Sequence, residues 1–127
     1  MFTLDISTGE LTHDGRHIAN GYSGRESGKD NPAYQSTPGF GPIPVGLYTI
    51  GIARHHPQLG QLAIPLKPDA NNQMYGRSGF WIHGDSSKHP GEGSEGCICL
   101  PHDARAAIAA SSDRRLTVIS TTMPTPA

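Results

Sequence analysis

Glycine and proline limit the folds open to this chain more than any other feature of its sequence. Sixteen glycines and eleven prolines are spread along 127 residues, of which only 17% are charged. Proline breaks helices and glycine weakens them, whereas both residue types favour turns. The composition therefore predicts a mainly β domain with many turns and little long helix.

Short apolar segments mark the predicted strands. Phe2, Leu4 and Ile6 alternate with polar residues, which is typical of a half-buried strand. Two further strands are predicted at residues 10–12 and 16–19, because the Asp-Gly pair between them favours a tight turn. The opening of the chain is therefore expected to be a β-meander.

Two later segments carry more specific expectations. Residues 47–52 are expected to form a strand with Ile52 on the same face as Tyr48. Residues 61–66 contain Pro65, which cannot donate a ladder hydrogen bond, so this strand is placed at a sheet edge. The other two predicted strands are residues 80–83 and 116–120.

Residues 1–127 are expected to form a single domain, since a chain of this length can bury one modest core. Residues 21–46 are rich in Gly, Ser, Asn and Pro and predict a long surface loop. Residues 101–110 begin with proline and an acid and continue with alanines, which predicts one short helix. Residues 121–127 predict a frayed tail.

Charge and hydropathy argue against several classes of partner. The formal net charge is −1 and the basic residues are scattered, so no nucleic-acid partner is expected. No apolar run approaches the roughly 18 residues of a membrane span, and the first residues lack the pattern of a Sec signal. We therefore expect synthesis in the cytoplasm as a soluble protein, with no cofactor and no membrane span.

The two cysteines, Cys97 and Cys99, favour thiol chemistry over a disulfide, because a bond between residues two apart closes a strained ring. Gly96 permits a tight turn in which the amides of Gly96 and Cys97 face a substrate oxygen. The predicted helix that follows would favour a thiolate through its positive dipole end. His83, at a predicted strand end before a glycine-rich loop, is the candidate base.

These residues resemble the signature of the L,D-transpeptidase (YkuD-type) catalytic domain. That signature is a histidine, a loop, and Ser-His-Gly-Cys followed by an aliphatic residue and Asn or Arg; here His83 and Ser94-x-Gly96-Cys97-Ile98 match it. Residues 41–50 are similar to the family's Thr-Pro-x-Gly-x-Phe/Tyr-x-Ile strand, and the short chain most resembles the L,D-transpeptidase-like effectors of type VI secretion systems. Glu95 and Cys99 depart from the signature, which puts ordinary cross-linking in doubt more than the Cys/His pair.

The resemblance implies a role for each matching residue. Cys97 would be the nucleophile and His83 its base, while the backbone carbonyl of Gly84 would orient the imidazole. Ser94 would support the loop or the hydrogen bonds of the active site. Arg77 matches no residue of the signature; it is a hypothetical clamp for a stem-peptide carboxylate, since a guanidinium pairs well with carboxylates. The expected substrate contacts are Gly96, Arg77 and Tyr75.

The resemblance also implies a substrate and a biological setting. Cys97 would attack the carbonyl at the L-centre of meso-diaminopimelate in a peptidoglycan tetrapeptide stem and expel D-Ala. Water as acceptor gives L,D-carboxypeptidase activity, and a free D-amino acid gives exchange. Such an effector would pass through a secretion apparatus into the periplasm of a rival bacterium, and the producer would carry a cognate immunity protein.

Two other functions fit parts of the sequence. Seven histidines and the Cys-x-Cys segment also fit a zinc-dependent peptidoglycan amidase or peptidase, although no common zinc-ligand spacing is present. A non-catalytic wall-binding module is the third alternative, and it predicts that Cys97→Ala binds sacculi normally and that the wild type shows no turnover. Taken singly, Cys97 could also be a small packed residue and Arg77 a surface charge. The expected fold is a YkuD-like β-sandwich or barrel. Its active-site cleft is expected between the end of the His83 strand and the Cys97 loop.

Overall fold

The computed structural model describes residues 1–121. The ten strands in chain order are β1 Phe2–Asp5, β2 Glu10–His13, β3 Arg16–Asn20, β4 Tyr22–Ser23, β5 Gly46–Ile50, β6 Arg54–His56, β7 Gly60–Pro68, β8 Trp81–His83, β9 Ile98–Cys99 and β10 Arg115–Ile119. One α-helix within these residues, α1, covers His102–Ala110, and two 3₁₀ turns cover Glu26–Gly28 and Pro32–Tyr34. No helix among them is long and apolar enough to cross a bilayer.

The strands form one curved sheet in the order β3-β2-β1-β10-β5-β7-β8-β9-β4, with β6 paired to β7 beside this path. Two neighbouring pairs are parallel, β1 with β10 and β8 with β9, and the others are antiparallel. The sheet is a nearly closed barrel. The prediction of a mainly β sandwich or barrel with one short helix after the cysteine segment is confirmed.

The core lies inside the curved sheet and beneath α1. Side chains that alternate along the strands are almost completely buried, as Leu4, Ile64 and Leu116 show at 0–1% exposure. The helix buries Ala104 and Ile108 against the same cluster. This packing holds β8 and β9 side by side, and these two strands position the candidate site.

Pro65 was expected to mark an edge strand, and this prediction is wrong. β7 is an interior strand with β5 and β6 on one side and β8 on the other. Pro65 lies where the pairing passes from β5 to β6, opposite the irregular segment 51–53. Its carbonyl accepts from Gly51 N at 2.8 Å, and its missing N–H falls in the gap between the two partner strands.

Three further expectations need correction. The fifth strand ends at Ile50, and Ile52 is 81% exposed rather than part of the buried face. The predicted surface loop at residues 21–46 contains β4 and buries Ile43 completely. Thr121 is not frayed, because its hydroxyl donates to the Asp5 carboxylate at 2.6 Å. The rest of the predicted tail lies outside the described residues.

Candidate active site

The parallel pair β8–β9 places the predicted base at the end of β8 and the predicted nucleophile just before β9. The register aligns His83 with Cys99. Cys97 lies one residue before β9, and its Sγ is 3.4 Å from Trp81 N and 3.9 Å from Gly79 O. Cys97 is therefore level with Trp81, and His83 stands two residues further along the neighbouring strand.

Cys97 and His83 line two different grooves. The Cys97 groove has a volume of about 380 Å³, and the His83 groove of about 350 Å³ is lined by the 84–88 loop. No hydrogen bond within residues 1–121 joins the two side chains. The expectation of one shared groove is not met in this structure, because the register places Cys99 opposite His83, with its Sγ 3.8 Å from His83 Nδ1.

His83 is held as a neutral base. Its side chain is 5% exposed, and Nδ1 lies 2.7 Å from the backbone oxygen of Gly84. A carbonyl only accepts hydrogen bonds, so Nδ1 carries the hydrogen and Nε2 keeps its lone pair. Burial lowers the pKa of His83, partly offset by the Gly84 hydrogen bond. At neutral pH the imidazole is therefore uncharged and able to accept a proton at Nε2.

Ser94 and Ser23 fix the turn that carries Cys97. The Ser94 hydroxyl is fully buried; it accepts from Gly96 N at 3.1 Å and from Gly24 N at 2.9 Å, and donates to Cys97 O. The Ser23 hydroxyl, equally buried, donates to Gly96 O at 2.9 Å. Ser23 was not predicted, since nothing in the sequence separates it from the other serines of the 21–46 segment. Both side chains support the backbone of the turn.

Gly96 is required by the tight packing of this turn. Its φ is 136°, and a Cβ there would stand 2.4 Å from Arg77 Nη2 and 3.1 Å from Phe80 Cε1. The expectation that its amide faces a substrate oxygen is not met, because Gly96 N donates to Ser94 Oγ. Gly96 therefore shapes the turn, while Cys97 N is left as the predicted oxyanion donor.

Arg77 binds backbone carbonyls and is not free to serve as a carboxylate clamp. The side chain is 8% exposed, and its guanidinium donates to the carbonyls of Gln35 at 2.6 Å, Pro42 at 2.7 Å and Gly41 at 3.0 Å. A longer contact of 3.5 Å reaches Glu95 O. Burial lowers the pKa of Arg77. The side chain therefore joins the 35–42 segment to the turn that carries Cys97.

Tyr75 lies just before the segment that lines the Cys97 groove, which starts at Gly76. Its side chain is 45% exposed, and its φ of 56° lies in the left-handed region that a tyrosine rarely adopts. Contact of Tyr75 with a substrate stays a prediction.

Cys97 is a protonated thiol at neutral pH. Burial raises its pKa, the Trp81 N–H lowers it, the Glu95 carboxylate raises it and the Arg77 guanidinium lowers it, with a net rise. Cys97 does not directly precede the helix, because β9 lies between it and α1, and an acidifying effect of the helix dipole stays a prediction. The thiol therefore needs a base before it can act as a nucleophile.

A family model described as the Tlde1 domain matches residues 17–122. The chain belongs to the Tlde1 domain family. This family comprises type VI secretion L,D-transpeptidase effectors, so membership implies L,D-transpeptidase-like activity on peptidoglycan and delivery into target cells. No curated protein matches the chain.

A second cluster in this Tlde1 domain holds the loop between His83 and Ser94. Tyr22 donates to the carboxylate of Asp85 and accepts from Gly93 N at 2.7 Å. The same carboxylate accepts from Gly91 N at 2.9 Å. Asp85 therefore fastens the loop.

The candidate zinc ligands of this Tlde1 domain do not converge on Cys97. Within residues 1–121, one group of three possible ligand atoms lies within 4.8 Å of one another, and these atoms belong to His13, Asp14 and Asp113. Both carboxylates of this group bind the Met1 amine. Cys99 is buried, and burial raises its pKa to about 12, so it is not a ready thiolate ligand.

Proposed function

We propose that this Tlde1 domain is a cysteine L,D-transpeptidase or L,D-carboxypeptidase that acts on the tetrapeptide stems of peptidoglycan. The observation that supports it most is the parallel β8–β9 pair, which carries the neutral His83 imidazole at the end of β8 and the Cys97 thiol one residue before β9. The Gly84 carbonyl sets the tautomer that leaves Nε2 free to take a proton. The resemblance to YkuD-type domains supports the same assignment.

The acylation step uses both groups. His83 Nε2 takes the thiol proton, and the Cys97 sulfur attacks the carbonyl carbon at the L-centre of meso-diaminopimelate. The new S–C bond forms as the C–N bond to D-Ala breaks, and the His83 imidazolium returns its proton to the leaving amine. The product is a thioester on Cys97.

The approach of the two groups is completed when substrate binds. Catalytic hydrogen bonds are commonly long in ligand-free structures and shorten in the complex. Because His83 stands two residues beyond the level of Cys97 on the neighbouring strand, the proposal requires the 94–97 turn to move toward His83. Gly96 and the Ser94 hydrogen bonds define the turn that has to move.

The acceptor decides the outcome of the second step. Water releases the shortened stem, whereas a free D-amino acid replaces D-Ala, with His83 taking the proton of either nucleophile. Both reactions remove the tetrapeptide donors that cross-linking needs. This loss would make the protein an antibacterial effector in the periplasm of a rival cell, countered in its producer by an immunity protein.

The test is incubation of the purified protein with disaccharide tetrapeptide, with and without a free D-amino acid, followed by mass spectrometry. We expect loss of D-Ala, and exchange when the D-amino acid is present. Cys97→Ala should abolish both, whereas Cys99→Ala should retain turnover and serves as the matched control. Full activity in Cys97→Ala would exclude the assignment, and loss of activity with a chelator would favour the zinc alternative.

A further inference from the structure

Glu95 is a charged residue of the Cys97 groove that the mechanism above does not use. Its side chain is exposed, and it lines the groove together with Cys97 and Gly96. Within residues 1–121, no hydrogen bond or ion pair holds its carboxylate; its contact with Arg77 is made through the backbone oxygen. The carboxylate is therefore available to a ligand in the groove.

The other charged side chain at this groove, Arg77, makes no ion pair with the Glu95 carboxylate. Its guanidinium donates to the backbone carbonyls of Gln35, Gly41 and Pro42. The remaining lining residues are glycines together with Pro38, Ser78, Phe80 and Cys97, none of which carries a positive charge. Among the described residues, the Glu95 carboxylate is therefore an anion without an ion-pair partner in the groove that holds the Cys97 sulfur.

An anion in this position opposes the chemistry of the site. Cys97 must become a thiolate, and a neighbouring carboxylate disfavours a second negative charge. The cost is removed when a cation binds the carboxylate, because the pair then exerts little net field on the sulfur. A substrate that carries its own cation would supply this neutralisation at the moment of reaction.

We propose that Glu95 binds the free ammonium group of the diamino acid side chain in the stem peptide, and that this pairing assists formation of the Cys97 thiolate. The inference rests on the proposed function, because that function places this residue of the stem at Cys97. The amine of an acceptor D-amino acid must lose its proton before it attacks the thioester, so it does not remain a cation. The stem ammonium keeps its charge through the acylation step and is therefore the cation assigned to Glu95.

The test measures binding in the Cys97→Ala protein, where no reaction consumes the peptide. Two tetrapeptide stems are compared by calorimetry, one with the free side-chain amine and one with that amine acetylated. We expect the free amine to bind about fivefold more tightly, in line with a partly exposed ion pair. Adding Glu95→Gln should remove this preference.

Glu92→Gln is the matched control, because it makes the same change on an exposed carboxylate that does not line the Cys97 groove. It should keep the preference for the free amine. An unchanged preference in Glu95→Gln, an equal affinity for both stems in the parent, or no binding of either stem would overturn the inference.

Turnover by the wild-type protein separates this inference from the proposed function. If the protein prefers the free amine through Glu95 but releases no D-Ala, the ammonium site is supported and the enzymatic assignment is excluded. If the protein releases D-Ala from both stems at equal rates and binds both with equal affinity, the enzymatic assignment is supported and the ammonium site is overturned.

Discussion

Cys97 is subject to four influences on its ionisation, and they do not act in the same direction. Burial and the Glu95 carboxylate raise the pKa of the thiol, whereas the Trp81 N–H and the Arg77 guanidinium lower it. His83 is uncharged at neutral pH because burial lowers its pKa. The resting site is therefore a thiol near an imidazole rather than a thiolate–imidazolium pair, and the thiolate has to be generated when substrate binds.

Glu95→Gln should lower the pKa of Cys97. The substitution removes a negative charge that disfavours the thiolate, so the reactive form appears at lower pH. The measurement is the rate of alkylation by iodoacetamide as a function of pH. We expect the rising limb to move to lower pH and alkylation to be faster at a fixed pH below the pKa.

Alkylation reports on Cys97 because the pKa of Cys99 is raised to about 12 and its side chain is 1% exposed. Glu92→Gln should leave the profile where it is in the wild type. If the profile of Glu95→Gln superimposes on that of the wild type, the carboxylate does not act on the sulfur.

Among the elements, the loops around β8 depend on Arg77. Its guanidinium joins the carbonyls of Gln35, Gly41 and Pro42 and fills the space that Gly96 leaves open. Lysine presents a single ammonium and cannot reproduce this planar fork. Arg77→Lys should lower the free energy of unfolding by about 2 kcal/mol, because buried carbonyls lose their donors.

Urea denaturation of Arg77→Lys gives the measurement, with the exposed Arg25→Lys as the control that keeps wild-type stability. A substrate clamp would behave differently. An unchanged denaturation midpoint together with weakened binding of the stem peptide would restore the clamp that the sequence suggested for this residue.

Several elements could be predicted from local sequence alone. Alternation located β1, and the proline and alanines of residues 101–110 located α1, because both signals lie within the segment itself. The edge position of β7 was predicted wrongly because Pro65 is tolerated at a change of partner strand. A single sequence contains no signal for which strand lies opposite a given residue.

The same limit applies to the site. The resemblance selected Cys97 and His83, and the fold places His83 at the end of β8 and Cys97 one residue before β9. The resemblance could not indicate that Cys99 lies opposite His83, because that pairing depends on the register of the two-residue strand β9. The partners of Arg77 and Ser23 are mostly backbone groups, which every residue carries, so no side-chain pattern reveals them.

At the scale of the whole molecule, the sheet joins the two ends of the described chain. β1 runs parallel to β10 and lies between β10 and β2. The Tlde1 family match begins at residue 17, after β1 and β2, although all the candidate site residues lie within it. All the candidate site residues thus lie inside the matched region, whereas the sheet that supports them also includes strands outside it.

Removal of residues 1–16 should therefore prevent stable folding. The truncated chain keeps every candidate site residue but loses the buried Phe2, Leu4, Ile6 and Leu11, and β10 becomes an unpaired edge. Leu4→Ala in the full chain is the graded control, expected to cost about 2–5 kcal/mol with the fold retained. Far-UV circular dichroism and urea titration compare the proteins. A truncated chain with a cooperative transition would mean that β10 and α1 close the core without the first two strands.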